Sequence, residues 1–156
     1  MIKSEKDAPG VIAVPPVIYV GFLAVGIGLD ALFPAAVLPP WVQYPVGFAL
    51  MAAAALVMPF VLREFRKAET SFDVRKPASG LVTSGPYRVS RNPGYLALSL
   101  LYTGIAIAVD SPWILGMLIP TLVVMHSGVI LREERYLEQK FGEDYRRYKR
   151  SVRRWI

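Results

Sequence analysis

The sequence predicts an all-α fold: a multi-pass transmembrane helical bundle of four spans, with a cytoplasmic C-terminal amphipathic helical segment. Three observations predict it. Hydrophobic residues make up 54% of the 156-residue chain and charged residues only 19%, with a mean hydropathy of +0.39. A water-soluble domain of that composition would leave large apolar patches exposed. Four apolar runs, residues 11–33, 41–62, 93–109 and 112–131, approach or reach the roughly 17–25 residues that a crossing helix needs. None of the 18 Lys and Arg residues falls inside them.

The placement of those charges sets the orientation. Lys3 and Lys6 precede the first run. Arg63, Arg66, Lys67, Arg75, Lys76, Arg88 and Arg91 lie between the second and third, and nine more, from Arg132 to Arg154, follow the fourth. The short turns on the other side carry only Asp30 and Asp110. Basic residues collect on the cytoplasmic side of a membrane, so both termini are expected inside. The chain reads as a single integral membrane domain over residues 1–156. Its first residues are of mixed charge and the run after them is too long for a cleaved signal, so it reads as a retained span. The absence of Cys excludes disulfides, thiolate metal sites and a thiol nucleophile. The net charge of +6 flanks membrane spans, which points to anionic head groups and away from nucleic acid.

The first two runs read as scaffold. Their small residues (Gly21, Gly26, Gly28 and Ala52 to Ala55) permit the close helix packing that lipid demands. Pro15, Pro16, Pro45 and Pro59 start or bend helices, and Trp41 and Tyr44 suit an interfacial aromatic belt. The third run is at the short limit, so either it tilts little or it pairs with the fourth as a tight hairpin turning at Asp110-Ser111-Pro112.

Polar chemistry concentrates in the second half. Ser84-Gly85-Pro86 is a turn, because Gly permits unusual φ and Pro fixes its own. Asn92-Pro93 is a helix start: the Asn side chain can cap free N–H groups, and Pro at the first helical position sacrifices no hydrogen bond. With Arg88 and Arg91 beside it, that helix end suits an anion, although the same arginines would also serve to anchor the helix to lipid phosphates. In the fourth run His126, Ile130 and Glu134 recur at i, i+4 and i+8, along one helix face. An intramembrane His faces the bundle interior, either hydrogen-bonded to a neighbouring helix or touching a ligand. Glu133 and Glu134 fall where this helix leaves the membrane; balanced by Arg132 and Arg135, they also fit a solvated face. One His with scattered carboxylates is no convincing metal ligand set. Leu137, Phe141, Tyr145 and Tyr148 recur at helical intervals broken by Gly142. Either a surface-lying amphipathic segment or a lid folded over the ends of the last two spans fits that pattern.

Gly85-Pro86-Tyr87, then Ser90-Arg91-Asn92-Pro93-Gly94-Tyr95, then Glu133-Glu134 with Leu137, Phe141-Gly142, Tyr145, Tyr148 and Val152, resembles the isoprenylcysteine carboxyl methyltransferase family and the related phospholipid methyltransferases. The match covers residues 81–156, about half the chain. The resemblance implies a membrane-embedded methyltransferase using S-adenosylmethionine, held at the cytoplasmic ends of the last two spans. Its acceptor would be a lipid, or a lipidated or hydrophobic molecule, entering sideways from the bilayer. Among small prokaryotic-type relatives this implies a bacterial or archaeal cytoplasmic membrane. Carried over by position, Asn92, Pro93, Tyr95, His126, Glu134, Tyr145 and Tyr148 would hold the cofactor, while Arg91, Arg88 and Glu133 would serve the chemistry. Many relatives carry His where this chain has Asn92, so a role needing an imidazole there does not transfer.

The residues agree in kind. A carboxylate acceptor needs no base, and Arg91 or Arg88 would orient it. An amine acceptor must lose a proton, to His126 or Glu133. O-methylation in the manner of the isoprenylcysteine enzymes is the leading expectation and amine N-methylation the alternative. A non-catalytic membrane scaffold, binding lipids or a protein partner through its basic tail, is the competing reading from another class. It leaves the paired motifs without a reason. A transporter is less favoured, for want of an internal repeat. Oligomerisation is left open.

Overall fold

The computed structural model describes residues 8–156 and is helical throughout its ordered elements, with no strand among them. Lys3 and Lys6 lie outside the described residues. Helix α1 spans Pro15–Leu32, α2 Pro40–Lys67, α3 Pro93–Ala108, α4 Pro112–Met125, α5 Leu131–Phe141 and α6 Glu143–Ser151. A π-helical turn, His126–Ile130, joins α4 to α5, so Pro112 to Phe141 forms one 30-residue helix. Three helices (α1, α2 and the α4–α5 helix) are long and apolar enough to cross a membrane, and α3 is shorter at 16 residues. The protein is an all-α, multi-pass integral membrane bundle.

Each of the four apolar helices begins with proline: Pro15, Pro40, Pro93 and Pro112. The first helical N–H has no partner in any helix, so its loss is free there, and the fixed φ prepares the turn. On α4 the Ser111 side chain adds a cap by accepting from the Ile114 N–H. α2 runs past its apolar stretch to end on Arg66 and Lys67, cations suited to the negative end of the helix dipole.

The α3–α4 hairpin is present. It turns at Asp110, whose φ of +53° is in the left-handed region that Asp tolerates better than most residues. The Asp110 carboxylate accepts from Val37 N (2.9 Å) and Leu38 N (3.0 Å), and Asp30 accepts from Ser111 Oγ at 2.7 Å. The two acidic residues therefore stitch the α1–α2 turn to the α3–α4 turn.

α2 packs along α3 and α1 along α4, with lesser contacts between α3 and α4. Small residues set these distances, because lipid supplies no hydrophobic drive between helices. A Cβ on Gly104 would meet Met51 Cγ at 2.7 Å and Gly47 O at 2.8 Å, and one on Gly26 would meet Ile114 Cα at 2.7 Å. Gly21 and Gly28 face open space, so of the α1 glycines it is Gly26 that packs. Large apolar side chains such as Val17, Val20, Phe60 and Ile119 point outward, as lipid-facing residues do. Inside, Tyr19 hydroxyl bonds Ser99 Oγ at 2.8 Å and crosses edge-on to Tyr102, keeping the buried phenol satisfied.

Candidate active site

At the end of the bundle where the basic loop and tail lie, a cavity of about 380 Å³ opens. That is within the roughly 300–1,000 Å³ of small-molecule sites. Its walls come from the start of α1, from Met58 and Phe65 on α2, and from the α2–α3 loop. The start of α3, Glu133 to Leu137 on α5, and Tyr145 and Tyr148 on α6 complete them. Most of the lining is apolar; its polar groups come from the α3–α5–α6 side and from the α2–α3 loop, which adds Asp73, Arg75 and Lys76.

Local chemistry explains how each piece arrives. Glu64, buried near the end of α2, accepts from Ser84 Oγ and from Lys67 Nζ. The Gly85 backbone, at φ +59°, lies against the Glu64 side chain, where a Cβ would come within 2.8 Å of Cγ. This latch holds the 3₁₀ turn Gly85–Arg88 that brings Tyr87 to the cavity wall. Tyr148 then donates from its hydroxyl to Tyr87 O at 2.7 Å, tying α6 to the same turn. Gly142, at φ +55°, ends α5 and lets α6 fold back. Of the two arrangements open to the C-terminal segment, the protein adopts the folded-back one, and Tyr145 and Tyr148 are buried.

Asn92 departs from its expected cap. No side chain caps α3; Asn92 Nδ2 donates instead to Arg154 O at 3.0 Å. The tail's carbonyl has recruited it. Arg91 N donates to Arg153 O at 3.0 Å and Ser90 Oγ to Arg154 O at 3.3 Å, so the C-terminal tail is bound along residues 90–92.

The charged groups form a tight set. Arg154 grips Glu134 with a two-pronged fork, Nε to Oε1 at 2.9 Å and Nη2 to Oε2 at 2.8 Å. Arg91 Nη1 lies 3.1 Å from Glu134 Oε1 but out of line for a hydrogen bond, and its side chain is only 9% exposed. Arg91 Nε and Nη1 are buried without a hydrogen-bond partner among the described residues. Such groups are costly to leave unmet, and they line the cavity. The Tyr145 hydroxyl lies beside Arg91; burial pushes its phenol up to about 12, and burial likewise raises Tyr87 and Tyr148. All three therefore present neutral O–H groups at physiological pH. Across from them Tyr95 donates to Glu133 Oε2 at 2.6 Å, while Glu133 Oε1 has no donor among the described residues.

Of the residues singled out from sequence, Arg91, Asn92, Tyr95, Glu133, Glu134, Tyr145 and Tyr148 line this cavity. Pro93 starts α3, buried just behind it. Arg88 is exposed and lines a separate, shallower groove with Arg147 and Asp144. His126 is not in the cavity wall. It lies about 12 Å along the helix axis from Glu134, at a rise of about 1.5 Å per residue. Between them the N-terminal segment docks on the π turn, with Ile12 packed on Gly128 and Ile12 N donating to Gly128 O at 3.2 Å. A π turn offers carbonyls that an unbroken α-helix would consume, and this one is used by the N-terminal segment.

A family model described as phospholipid methyltransferase matches residues 42–144, which include every helix wall of the cavity except the start of α1 and the α6 residues Tyr145 and Tyr148. The chain belongs to that family. It is also similar to an uncharacterized protein of Haemophilus influenzae, 57% identical over 42 residues. That match is 27% of this chain, which spans 65% of the length of the curated relative it matches.

Proposed function

We propose that the protein transfers a methyl group from S-adenosylmethionine to a membrane-partitioned amine acceptor, with its site facing the cytoplasm. One observation carries the reading: two unmet groups of opposite kind share one cavity. Arg91 presents buried donors, and Glu133 presents an open acceptor oxygen with Tyr95 on its other oxygen. The donor set fits the cofactor. Arg91, with the uncapped start of α3 behind it, would take the carboxylate of the methionine part. Tyr87 and Phe72 offer aromatic faces for the adenine. When bound, the cofactor supplies a methyl group activated on a sulfonium.

The protein's own tasks are placement, water exclusion and proton removal. An amine is nucleophilic only without its extra proton, and Glu133 Oε1 is the group in the cavity placed to receive it. With that proton on Glu133, the acceptor nitrogen would be free to form an N–C bond at the expense of the cofactor's C–S bond, a neutral thioether being the leaving group. Holding these atoms in line is worth roughly 7–11 kcal/mol. Val14, Met58, Phe65 and Leu98 form an apolar extension suited to the acceptor's lipid part.

The reading takes four crossings, the three long helices and α3, which at about 24 Å would make the short one. Its start lies at the cavity and its end at the Asp110 turn, and the described Lys and Arg residues lie toward the cavity end. We infer from this that both termini face the cytoplasm of a bacterial or archaeal cell. A second reading, O-methylation of a lipidated carboxylate, is favoured by the same Arg91 donors if they orient the acceptor instead.

The test uses purified protein in nanodiscs. Calorimetry with S-adenosylmethionine and S-adenosylhomocysteine should give saturable one-site binding, and labelled methyl should appear in phosphatidylethanolamine. Label in a prenylcysteine analogue alone would favour the carboxylate reading. No cofactor binding by folded protein would leave the scaffold reading in possession.

A further inference from the structure

We propose that Arg154, on the C-terminal tail, is a positioning residue that keeps Arg91 free to bind a ligand carboxylate. Charge counting carries this. One carboxylate, Glu134, is beside two guanidinium groups, so the cluster holds one surplus positive charge. The Arg154 fork occupies both Glu134 oxygens, at 2.9 and 2.8 Å. A carboxylate gripped in that way is fixed in plane and largely satisfied. Arg91 is left 3.1 Å from Oε1 and out of line, with Nε and Nη1 unpartnered. The surplus charge therefore belongs to the side chain that lines the cavity.

Without Arg154, Glu134 would turn its freed oxygens fully to Arg91, already 3.1 Å away, since Lys149 is held by Glu138. The existing ion pair would become a hydrogen-bonded one that uses up the Arg91 donors, and the anion site would close. The backbone makes Arg154's delivery dependable: Arg153 O and Arg154 O accept from Arg91 N, Asn92 Nδ2 and Ser90 Oγ. The tail's role is thus electrostatic as well as steric.

This inference rests on the cofactor reading above, and its test separates the two. Binding of S-adenosylhomocysteine and of its decarboxylated analogue, which keeps the ammonium group, is measured by calorimetry in nanodiscs. Wild type, Arg154→Leu, Arg154→Gln and Arg154→Lys are compared. Both neutral variants should lose roughly 10- to 100-fold for S-adenosylhomocysteine, the size expected for charge-assisted hydrogen bonds, and under about threefold for the analogue. Arg154→Lys should recover part of the loss. Equal losses for both ligands would make Arg154 merely structural and overturn the proposal. Tighter binding in the variants would overturn it also, since Arg154 would then be a competitor for Glu134. Wild type binding neither compound would overturn the cofactor reading, and this inference with it.

Discussion

Replacing Glu133 with Gln tests the proposed chemistry most directly. The amide keeps the size of the side chain and can still accept from Tyr95 through its oxygen, preserving the 2.6 Å bond. The other position changes from acceptor to N–H donor. Two losses follow. The variant cannot take a proton, which removes roughly 10²–10⁴-fold of general-base assistance. It also forfeits a charge-assisted hydrogen bond to the acceptor, worth about 1.5–3 kcal/mol, or roughly 10- to 150-fold. The two overlap where the same oxygen serves both tasks, so kcat/KM should fall by about 10²–10⁴. The assay is labelled methyl transfer to an amine lipid in nanodiscs, with calorimetric binding of S-adenosylhomocysteine as control. Cofactor affinity should stay within about threefold, because Arg91 and Glu134 are untouched. Normal cofactor binding with kcat/KM within tenfold of wild type would refute Glu133 as the base. If cofactor affinity and turnover fell together, Glu133 would belong to the cofactor site instead.

Four further outcomes are expected. Glu134→Gln leaves two guanidinium groups across a neutral amide and should cost about 3 kcal/mol, near the low end for a broken buried pair because Arg154 is 30% exposed. Thermal unfolding in mild detergent should drop by roughly 6–12 °C, and no change would mean the triad is solvated in the membrane. Gly104→Val forces a side chain against Met51 and the Gly47 carbonyl and should destabilise by about 1–3 kcal/mol, whereas Gly28→Ala, facing open space inside α1, should stabilise by about 0.5–1 kcal/mol. Met58→Trp, narrowing the apolar extension, should raise the acceptor KM by about tenfold or more while S-adenosylhomocysteine affinity holds; loss of both would deny the division of the cavity. Burial raises Tyr145 from 10.0 to about 12, so the unfolded chain loses that proton first as pH rises. Tyr145 should therefore leave stability flat up to about pH 10 and lower it between about pH 10 and 12, a loss absent in Tyr145→Phe.

Hydropathy and charge placement made the helices legible, because a lipid solvent forces apolar runs and pushes Lys and Arg to their ends. The third and fourth runs were placed to the residue at Pro93 and Pro112, whereas the first two helices start at Pro15 and Pro40 against expected starts of 11 and 41. Arg91, Asn92, Glu133 and Glu134 drew notice as charged or capping groups at helix ends, and Tyr95 through the family resemblance, and all five meet at one cavity. What no local pattern carried was the long-range partner. Arg154 reads as one more basic residue near the chain end, and only the fold brings it to Glu134 and Asn92. Asn92 looked like a cap because capping is the local option; the tail carbonyl outcompeted it. His126 shared a face with Glu134 on paper, but helical periodicity says nothing of depth. Ile12 packs on Gly128 between them. The π turn was equally invisible, and the segment that donates to its Gly128 carbonyl is more than a hundred residues away.

The location of the charged triad follows from the two solvents that the proposed reaction must join. A charged cofactor arrives through water, and a lipid acceptor through the bilayer, so a shared site belongs where helices leave the membrane. Building it deeper would put Arg91 and Glu134 in hydrocarbon, at a penalty that pairing only partly offsets. Building it farther out would admit water, weakening the ion pairs and competing for Glu133. The chain resolves this by extending α2 and the α4–α5 helix beyond their apolar stretches and folding loop, α6 and tail over the projecting ends. The apolar wall is then supplied by α1, α2 and Leu98, and the charged wall by residues that no bilayer would accept alone. On that account the tail is part of the site's electrostatics, and the spans set the depth at which those charges meet the lipid.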